Sequence, residues 1–454
     1  MFVDTHAHLY YPNFKDDLDE VIQRAKDAGV DYILVPATDL ASAAQVADLT
    51  EKYEMIYGAV GVHPHDSREW TKDLIPLLEE LIVNNPKIVA VGEIGLDYYY
   101  DFSPKEKQIE AFRDQIELAL KLDYPIIVHN RESDEDVLNI IKEYTPRGLK
   151  AQLHCFNSTE EYVYQYVSLG HYISFTGNIT FKKMDSIREV ASKVTPEKLL
   201  LETDSPFMTP VPFRGKRNEP AHVKLVAEMQ AEVHRKTVEE IAQVTSFNAF
   251  RLFGIGKLPE PSLTYKLYNS LYVNITNRCN ADCFFCTHKD EPYLAGYNLK
   301  LDPHNEPPAE DYIKEIGDPT QYDEIVYCGF GEPTLRWDVV KEISRYVKKN
   351  GGKTRINTNG HGSFLNKKNI ADEMPGLIDG VSISLNTIDR KEYSEIMRVD
   401  EKFFDVMVEF AKNCKENGIR VIMSVVGLKE IDIQAAKDFV VEELGAEFRE
   451  RPLF

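Results

Sequence analysis

Short apolar runs alternate with amphipathic stretches through the first 257 residues of the chain. The apolar runs are Phe2–Asp4, Tyr32–Pro36, Ile56–Val62, Ile88–Gly92, Pro125–His129, Leu149–His154, Tyr172–Phe175 and Leu199–Glu202. Between them, segments such as Asp16–Ala28, Lys105–Leu122 and Asp134–Tyr144 carry apolar residues at helical spacing. Eight strand–helix units in about 250 residues predict a closed (β/α)8 TIM barrel. Helices over His222–His234 and Thr237–Phe253 close this region. Prolines and glycine in Gly256-Lys-Leu-Pro-Glu-Pro-Ser262 interrupt any helix, so residues 258–264 are expected to be a linker between domains at 1–257 and 265–454. The alternation then resumes at Leu271–Thr276, Glu324–Cys328, Lys353–Thr358, Val381–Leu385, Arg420–Val425 and Glu447–Arg451. Six parallel strands predict a partial, open (β/α)6 barrel, and the whole chain is α/β.

Bulk properties narrow the class. A chain of 454 residues exceeds what one hydrophobic core holds, which agrees with two domains. At 43% hydrophobic and 28% charged it is far from disorder. Its net charge of −21 disfavours nonspecific binding to long duplex nucleic acid, where basic faces are rewarded. A phosphate-bearing substrate remains open, because a local metal centre outweighs the global field. No apolar run approaches the roughly 20 residues that span a bilayer. Met1-Phe-Val-Asp-Thr-His6 is not a charged leader followed by an apolar stretch, so no secretory signal is expected. Six cysteines with three in one cluster do not form a disulfide framework, and reduced thiols point to the cytoplasm.

Polar residues of the first half gather at predicted strand ends, the rim where barrels place chemistry. His6 and His8 follow the first strand, two apart and therefore on one side of extended backbone. Glu93 follows the fourth, His129 ends the fifth, His154 the sixth, and Asp204 follows the eighth. Imidazoles and carboxylates converging on one rim suit two divalent ions such as zinc or manganese, with a shared carboxylate and a water acidified between them. His63 and His65 are expected either to contact a leaving phosphate of the substrate or to brace the ligands, with His63 nearer the site. Arg131, Arg214, Lys216 and Arg217 offer charge-assisted hydrogen bonds to phosphate, and Tyr98-Tyr-Tyr100 offers stacking surfaces for bases. His171 begins a strand, at the end away from the chemistry, and receives no role.

This half resembles the TatD-family metal-dependent hydrolases of the amidohydrolase superfamily. The matching stretches are Asp4-Thr-His-Ala-His-Leu9, Gly61-Val-His-Pro-His65, Gly92-Glu-Ile-Gly-Leu-Asp-Tyr-Tyr99, His129-Asn-Arg131, His154-Cys-Phe156, Glu202-Thr-Asp-Ser-Pro206 and Arg214-Gly-Lys-Arg-Asn-Glu-Pro220. The resemblance implies one metal held by His6, His8, Glu93 and Asp204, a second held by Glu93, His129 and His154, and Asp204 as the group that takes a proton from the attacking water. It also implies a magnesium-, manganese- or zinc-dependent deoxyribonuclease of 3′-to-5′ exonuclease type, acting on single-stranded DNA or another phosphodiester.

The second half carries Cys279-Asn-Ala-Asp-Cys283-Phe-Phe-Cys286 directly after its first strand. Three thiols at this spacing suit a four-iron cluster with one iron left open. A zinc site completed by His288 is the alternative, though it fits the usual paired zinc spacings poorly. Gly329-Phe-Gly-Glu-Pro-Thr334, Asn357-Thr-Asn-Gly360 and Ser382-Ile-Ser-Leu-Asn386 fall at the next strand ends. In this order the residues resemble the radical S-adenosylmethionine superfamily. The resemblance implies a [4Fe–4S] cluster on Cys279, Cys283 and Cys286, whose open iron chelates S-adenosylmethionine, cleaved on reduction to a 5′-deoxyadenosyl radical. It implies further that Phe285 packs near adenine, that Gly329 and Glu332 belong to the stretch contacting the methionine amino group, and that Ser384 or Asn386 contacts ribose. Gly-Phe-Gly-Glu replaces the family's Gly-Gly-Glu. Cys328 and Cys414 stand alone, and an auxiliary cluster is not expected. A peptide or protein is a candidate substrate for this half. The expected function is therefore bifunctional. The alternatives are an amide, ester or lactone hydrolase, with the iron–sulfur half serving as a redox-sensing or docking module.

Overall fold

The computed structural model describes residues 1–286, 291–427 and 431–451. The chain divides into two compact units, Met1–Pro259 and Glu260–Phe454.

In the first unit, eight strands are hydrogen-bonded in sequence order, all parallel: β1 Phe2–Asp4, β2 Val30–Pro36, β3 Ile56–Val60, β4 Ile88–Asp97, β5 Ile126–Arg131, β6 Ala151–Leu153, β7 Tyr172–Phe175 and β8 Leu199–Leu201. Thr5 N donates to Leu201 O at 2.9 Å and His8 N to Ser205 O at 2.7 Å, which brings the first and last strands together as the expected barrel requires. Side chains alternate along each strand. Ile33 and Val35 join the large core under the surrounding helices, whereas Leu34 packs with Val3, Ala59, Ala90, Ile127 and Leu200. The helix Val238–Phe253 adds Ala249, Leu252 and Phe253 to that second group, filling the floor of the barrel. Each large side chain so buried contributes roughly 1.5–3 kcal/mol. Thr237 and Glu240 cap this helix reciprocally, and Gly254 at φ 70° ends it. With the floor filled, the opposite mouth is left for chemistry.

One strand departs from expectation in a way that matters. β4 continues through Glu93 to Asp97 instead of stopping at Gly92. Gly95 makes this continuation possible: at φ 140° it approaches β5 so closely that an added Cβ would lie 2.0 Å from His129 O.

The second unit holds β9 Thr264–Leu267, β10 Ser270–Asn274, a small hairpin of β11 Tyr293–Leu294 and β12 Tyr297–Asn298, then β13 Ile325–Cys328, β14 Thr354–Thr358, β15 Gly380–Ser384, β16 Arg420–Val426 and β17 Glu447–Arg451. The main sheet runs β17-β16-β15-β14-β13-β10-β9. Its six parallel strands form the expected partial barrel, and β9 adds an unanticipated antiparallel edge that begins within the expected linker. Amphipathic helices such as Trp337–Lys349 and Lys402–Glu416 bury Val340, Ile343, Met407 and Phe410 against the sheet.

Candidate active sites

His6 and His8 lie just past β1, inside a segment whose backbone is pinned to the far edge of the barrel by His8 N. Their Nε2 atoms are 3.2 Å apart. His6 Nε2 lies 3.4 Å from Glu93 Oε2 and 3.9 Å from Asp204 Oδ1, and His8 Nε2 lies 3.6 Å and 3.4 Å from the same two oxygens. The other oxygen of Glu93, Oε1, is 2.8 Å from both His129 Nδ1 and His154 Nε2, which are 3.5 Å from each other. Metal–ligand bonds of about 2.0–2.2 Å place neighbouring donor atoms about 3–3.5 Å apart, so both sets have the dimensions of a cation shell. Glu93 faces one set with each oxygen.

The ring nitrogens favour the same conclusion. His8 Nδ1 faces the carbonyl of Pro36 at 3.2 Å, which keeps its proton there and leaves the Nε2 lone pair for a cation. His63 is arranged the other way. Its Nδ1 accepts from His65 N at 3.2 Å, so the proton sits on Nε2, which points at Glu93 Oε1 from 3.5 Å. His63 is thus a donor aimed into the site, although it could also be counted into a donor group with Glu93 and His129.

Electrostatics separate these buried groups. Burial, with the neighbouring charge of His154, drives His6 down to about 3. Burial likewise brings His63 down to about 4. For His154 the effect of burial is outweighed by Glu93, and the ring rises to about 9. Glu93 is held well below the usual carboxylate range because the surrounding imidazoles outweigh its burial. Asp204 is also lowered: burial raises it, but the neighbouring imidazoles of His8, His6 and His154 outweigh that. Two ionised carboxylates among imidazoles form an environment suited to divalent cations.

Other anticipated residues fall into place unevenly. His65 and Arg131 line the cleft with His8, Tyr11 and Phe207. Arg217 does not reach it; its guanidinium makes two 2.7 Å bonds to Asp17 and another to Asn13 O. Arg214 stacks over Phe181 at 4.3 Å and Lys216 lies near Phe213 at 5.8 Å, neither lining the cleft. His171 bonds Thr145 Oγ1, consistent with no catalytic role. Two acids passed over in the sequence stand directly behind the candidate ligands. Asp97 contacts His65 and His129. Glu202, pushed up to about 7 by burial, accepts from Ser174, Gln152 and the Cys155 amide behind His154.

In the second unit, the thiols of Cys279, Cys283 and Cys286 lie on one loop, and no disulfide joins any cysteine among the described residues. His288, the alternative zinc ligand, lies outside the described residues. Burial pushes Cys279 up to about 11, with the charges of Glu332 and Cys286 adding to it, and Cys283 up to about 12, with those of Cys279 and Cys286 adding. A cationic iron cluster would offset the burial of these two groups by pairing with their thiolates. Gly331 presses the glycine stretch onto this loop: an added Cβ would lie 2.4 Å from Thr276 O and 2.5 Å from Arg278 O. Gly329 sits beside Asn274 at φ 115°. Glu332 is buried, and its carboxylate accepts from Thr334, from Thr358 Oγ1 and from Asn359 N. It therefore braces the loop. Asn386 is fully buried with Oδ1 unpartnered, an acceptor suited to a ligand hydroxyl. Ser384 Oγ accepts from Arg451 at 3.3 Å, and Phe285 packs against the unit's core. Cys414 is buried and Cys328 contacts Asn357 Nδ2 at 3.4 Å, both consistent with packing.

An eight-stranded parallel barrel with two cation-sized donor sets at its mouth defines a metal-dependent hydrolase. Residues 3–254 match the family described as TatD related DNase, and the chain belongs to that family. Residues 273–440 match the radical SAM superfamily, so the second unit is a radical S-adenosylmethionine domain, with the iron–sulfur cluster and S-adenosylmethionine that this class uses. The chain is 45% identical over 255 residues to an uncharacterized metal-dependent hydrolase, YabD of Bacillus subtilis, covering 56% of this chain and all of that one. It is 34% identical over 257 residues to a 3′-5′ ssDNA/RNA exonuclease, TatD of Shigella flexneri, covering 56% of this chain and 98% of that one. The crystal structure of the TatD homologue YjjV of Escherichia coli superposes with a TM-score of 0.54 at 34% identity, over 56% of this chain and 98% of that one.

Proposed function

We propose that the first unit hydrolyses phosphodiesters of single-stranded nucleic acid, working from the 3′ end, and that the second unit reductively cleaves S-adenosylmethionine. The observation that carries the first half is the double presentation of Glu93, one oxygen to each donor set. His6, His8 and Asp204 would complete one zinc, manganese or magnesium shell, and His129 and His154 the other. Such ions, when bound, supply Lewis acidity and an acidified water. Asp204, held ionised among the imidazoles of His8, His6 and His154, takes the proton of the attacking water. His63 offers its Nε2 proton to a phosphoryl oxygen, and Arg131 lines the same cleft as a second donor to phosphate. The name and 34% identity of the exonuclease relative favour single-stranded DNA or RNA over amides, esters or lactones.

In the second unit, Cys279, Cys283 and Cys286 would hold the cluster, the backbone around Gly329 the amino group, Asn386 Oδ1 a ribose hydroxyl, and Phe285 the adenine side. The cluster and its cosubstrate supply one-electron reduction of a sulfonium. The chain's part is to seat and shield that reaction. Among the described residues no helix is long and apolar enough to cross a membrane, and a cytoplasmic setting would keep the thiols reduced.

Two assays test this. Metal-loaded protein is offered 3′-tailed single-stranded oligonucleotides alongside a panel of amides, esters and lactones. Turnover confined to the oligonucleotides is expected, and turnover of amides or lactones alone would overturn the phosphodiester reading. Anaerobic incubation with dithionite and S-adenosylmethionine should yield 5′-deoxyadenosine. A reducible cluster that yields none would make the second unit a redox sensor or docking module instead.

A further inference from the structure

Asp97 is a fully buried carboxylate that belongs to neither donor set around Glu93. Its Oδ2 lies 3.1 Å from His129 Nε2 and 2.7 Å from His65 Nε2. Its Oδ1 accepts from the backbone N–H groups of Tyr99 and Tyr100, each at 3.0 Å. Gln108 fixes the residue from behind, accepting from Asp97 N at 2.8 Å and donating to Asp97 O at 2.9 Å. A single side chain therefore joins a candidate metal ligand to a loop that carries two exposed aromatic rings.

The first consequence concerns His129. A neutral imidazole carries one proton and one lone pair. With a carboxylate beside Nε2 the proton stays on that nitrogen, and Nδ1, facing Glu93, keeps the lone pair that a cation requires. The second consequence concerns the rim. Tyr99 is 54% and Tyr100 39% exposed. The Arg131 guanidinium stacks on both rings, 4.1 Å and 4.8 Å from their centroids. These residues border a cavity of about 710 Å³ that runs on to His129, His154 and Asp204. Flat rings beside a cation, opening onto a hydrolytic centre, suit the face of a nucleobase and its phosphate.

We propose that Tyr99, Tyr100 and Arg131 form a subsite for a nucleobase and its phosphate, and that Asp97 is the positioning residue that locks this subsite to His129. The proposal rests on the phosphodiester reading above. Asp97 would set the order of both at once: the lone pair that receives the second ion, and the platform that presents the strand to it.

Two measurements on the full chain test the coupling. One is uptake of Mn²⁺ or Zn²⁺ by equilibrium dialysis. The other is fluorescence anisotropy, in EDTA, with a labelled ten-residue oligothymidylate and its abasic counterpart. Wild-type protein should take up two divalent ions at the barrel and prefer the intact strand. Replacing both exposed rings, Tyr99→Leu with Tyr100→Leu, should keep both ions and lose the preference for bases by about 5- to 100-fold. Asp97→Asn has the same shape but places an N–H opposite Nε2, which drives the His129 proton to Nδ1. That variant should take up one ion about 10- to 100-fold more weakly, while its remaining oxygen still holds the tyrosine amides and the base preference survives. Undiminished uptake of both ions by Asp97→Asn overturns the positioning role. An unchanged base preference in the double tyrosine variant overturns the subsite. Wild-type protein that takes up two ions but neither binds nor hydrolyses either strand overturns the phosphodiester reading and the subsite with it, a pattern distinct from the other two.

Discussion

In the first unit, six candidate ligands lie on or just past five strands scattered between His6 and Asp204. In the second, three thiols stand within one loop between Cys279 and Cys286. The first arrangement exists only when the barrel is closed, since His8 N must reach Ser205 O before His6 and Asp204 can meet. The second is local, and the strands around it supply bracing instead of ligands: Glu332 ties Thr334 to the Thr358–Asn359 turn, and Gly331 lies flush against the cysteine loop. A dispersed site is thus as stable as its fold, whereas a local one depends on the backbone that packs against it.

The largest expected effect separates the two halves. Cys283→Ala should lower bound iron and sulfide from about four each per chain to near zero and abolish deoxyadenosine formation. Oligonucleotide hydrolysis should be unchanged, and a parallel loss of it would show that the sites are not independent. Asp204→Asn should reduce phosphodiester turnover by about 10²–10⁴-fold with the thermal unfolding curve unmoved. Full turnover in that variant would remove Asp204 as the base.

Gly95→Ala probes how far the dispersed site depends on close backbone approach. The added Cβ meets His129 O, and φ 140° strains any side chain there, so urea titration of the barrel should show a loss of about 1–3 kcal/mol. A smaller effect is expected from acid on the second unit. His361 is buried and lowered to about 3 by desolvation, with Asn280 and Tyr393 on its two nitrogens. The unfolded chain binds a proton at this position below about pH 6.5, while the folded one stays neutral down to about 3. Stability should therefore fall as pH drops through that window, by at most about 1.4 kcal/mol per pH unit, and be indifferent to it above. His361→Gln should flatten this slope in denaturant titrations followed by pH. The smallest effect is expected at Arg217. Arg217→Ala should leave turnover intact and cost about 0.2–1 kcal/mol, because its guanidinium pairs with Asp17 outside the cleft.

The strand rhythm was legible because apolar runs and helical periods repeat at regular spacing, and each of the eight barrel strands overlaps its expected run, with β4 continuing past it to Asp97. The candidate ligand residues stood out for the same reason: each is a rare polar residue where an apolar run ends. Asp97 was not, because Gly92 and Gly95 interrupt the apolar pattern before β4 ends. Alternation carried past Gly95 would have placed Asp97 on the face of Glu93, two pleats on. Strand β9 was hidden by the prolines before it and by a two-residue turn, Tyr268-Asn269, that lacks the usual glycine. Arg217 looked like a phosphate ligand because composition cannot reveal that Asp17, 200 positions away, already holds it.

The most direct test of the dispersed centre is anomalous diffraction from crystals of manganese- or zinc-loaded protein. Two peaks flanking the Glu93 carboxylate are expected, one among His6, His8 and Asp204, the other beside His129 and His154. A single peak, or peaks away from Glu93, would contradict the account.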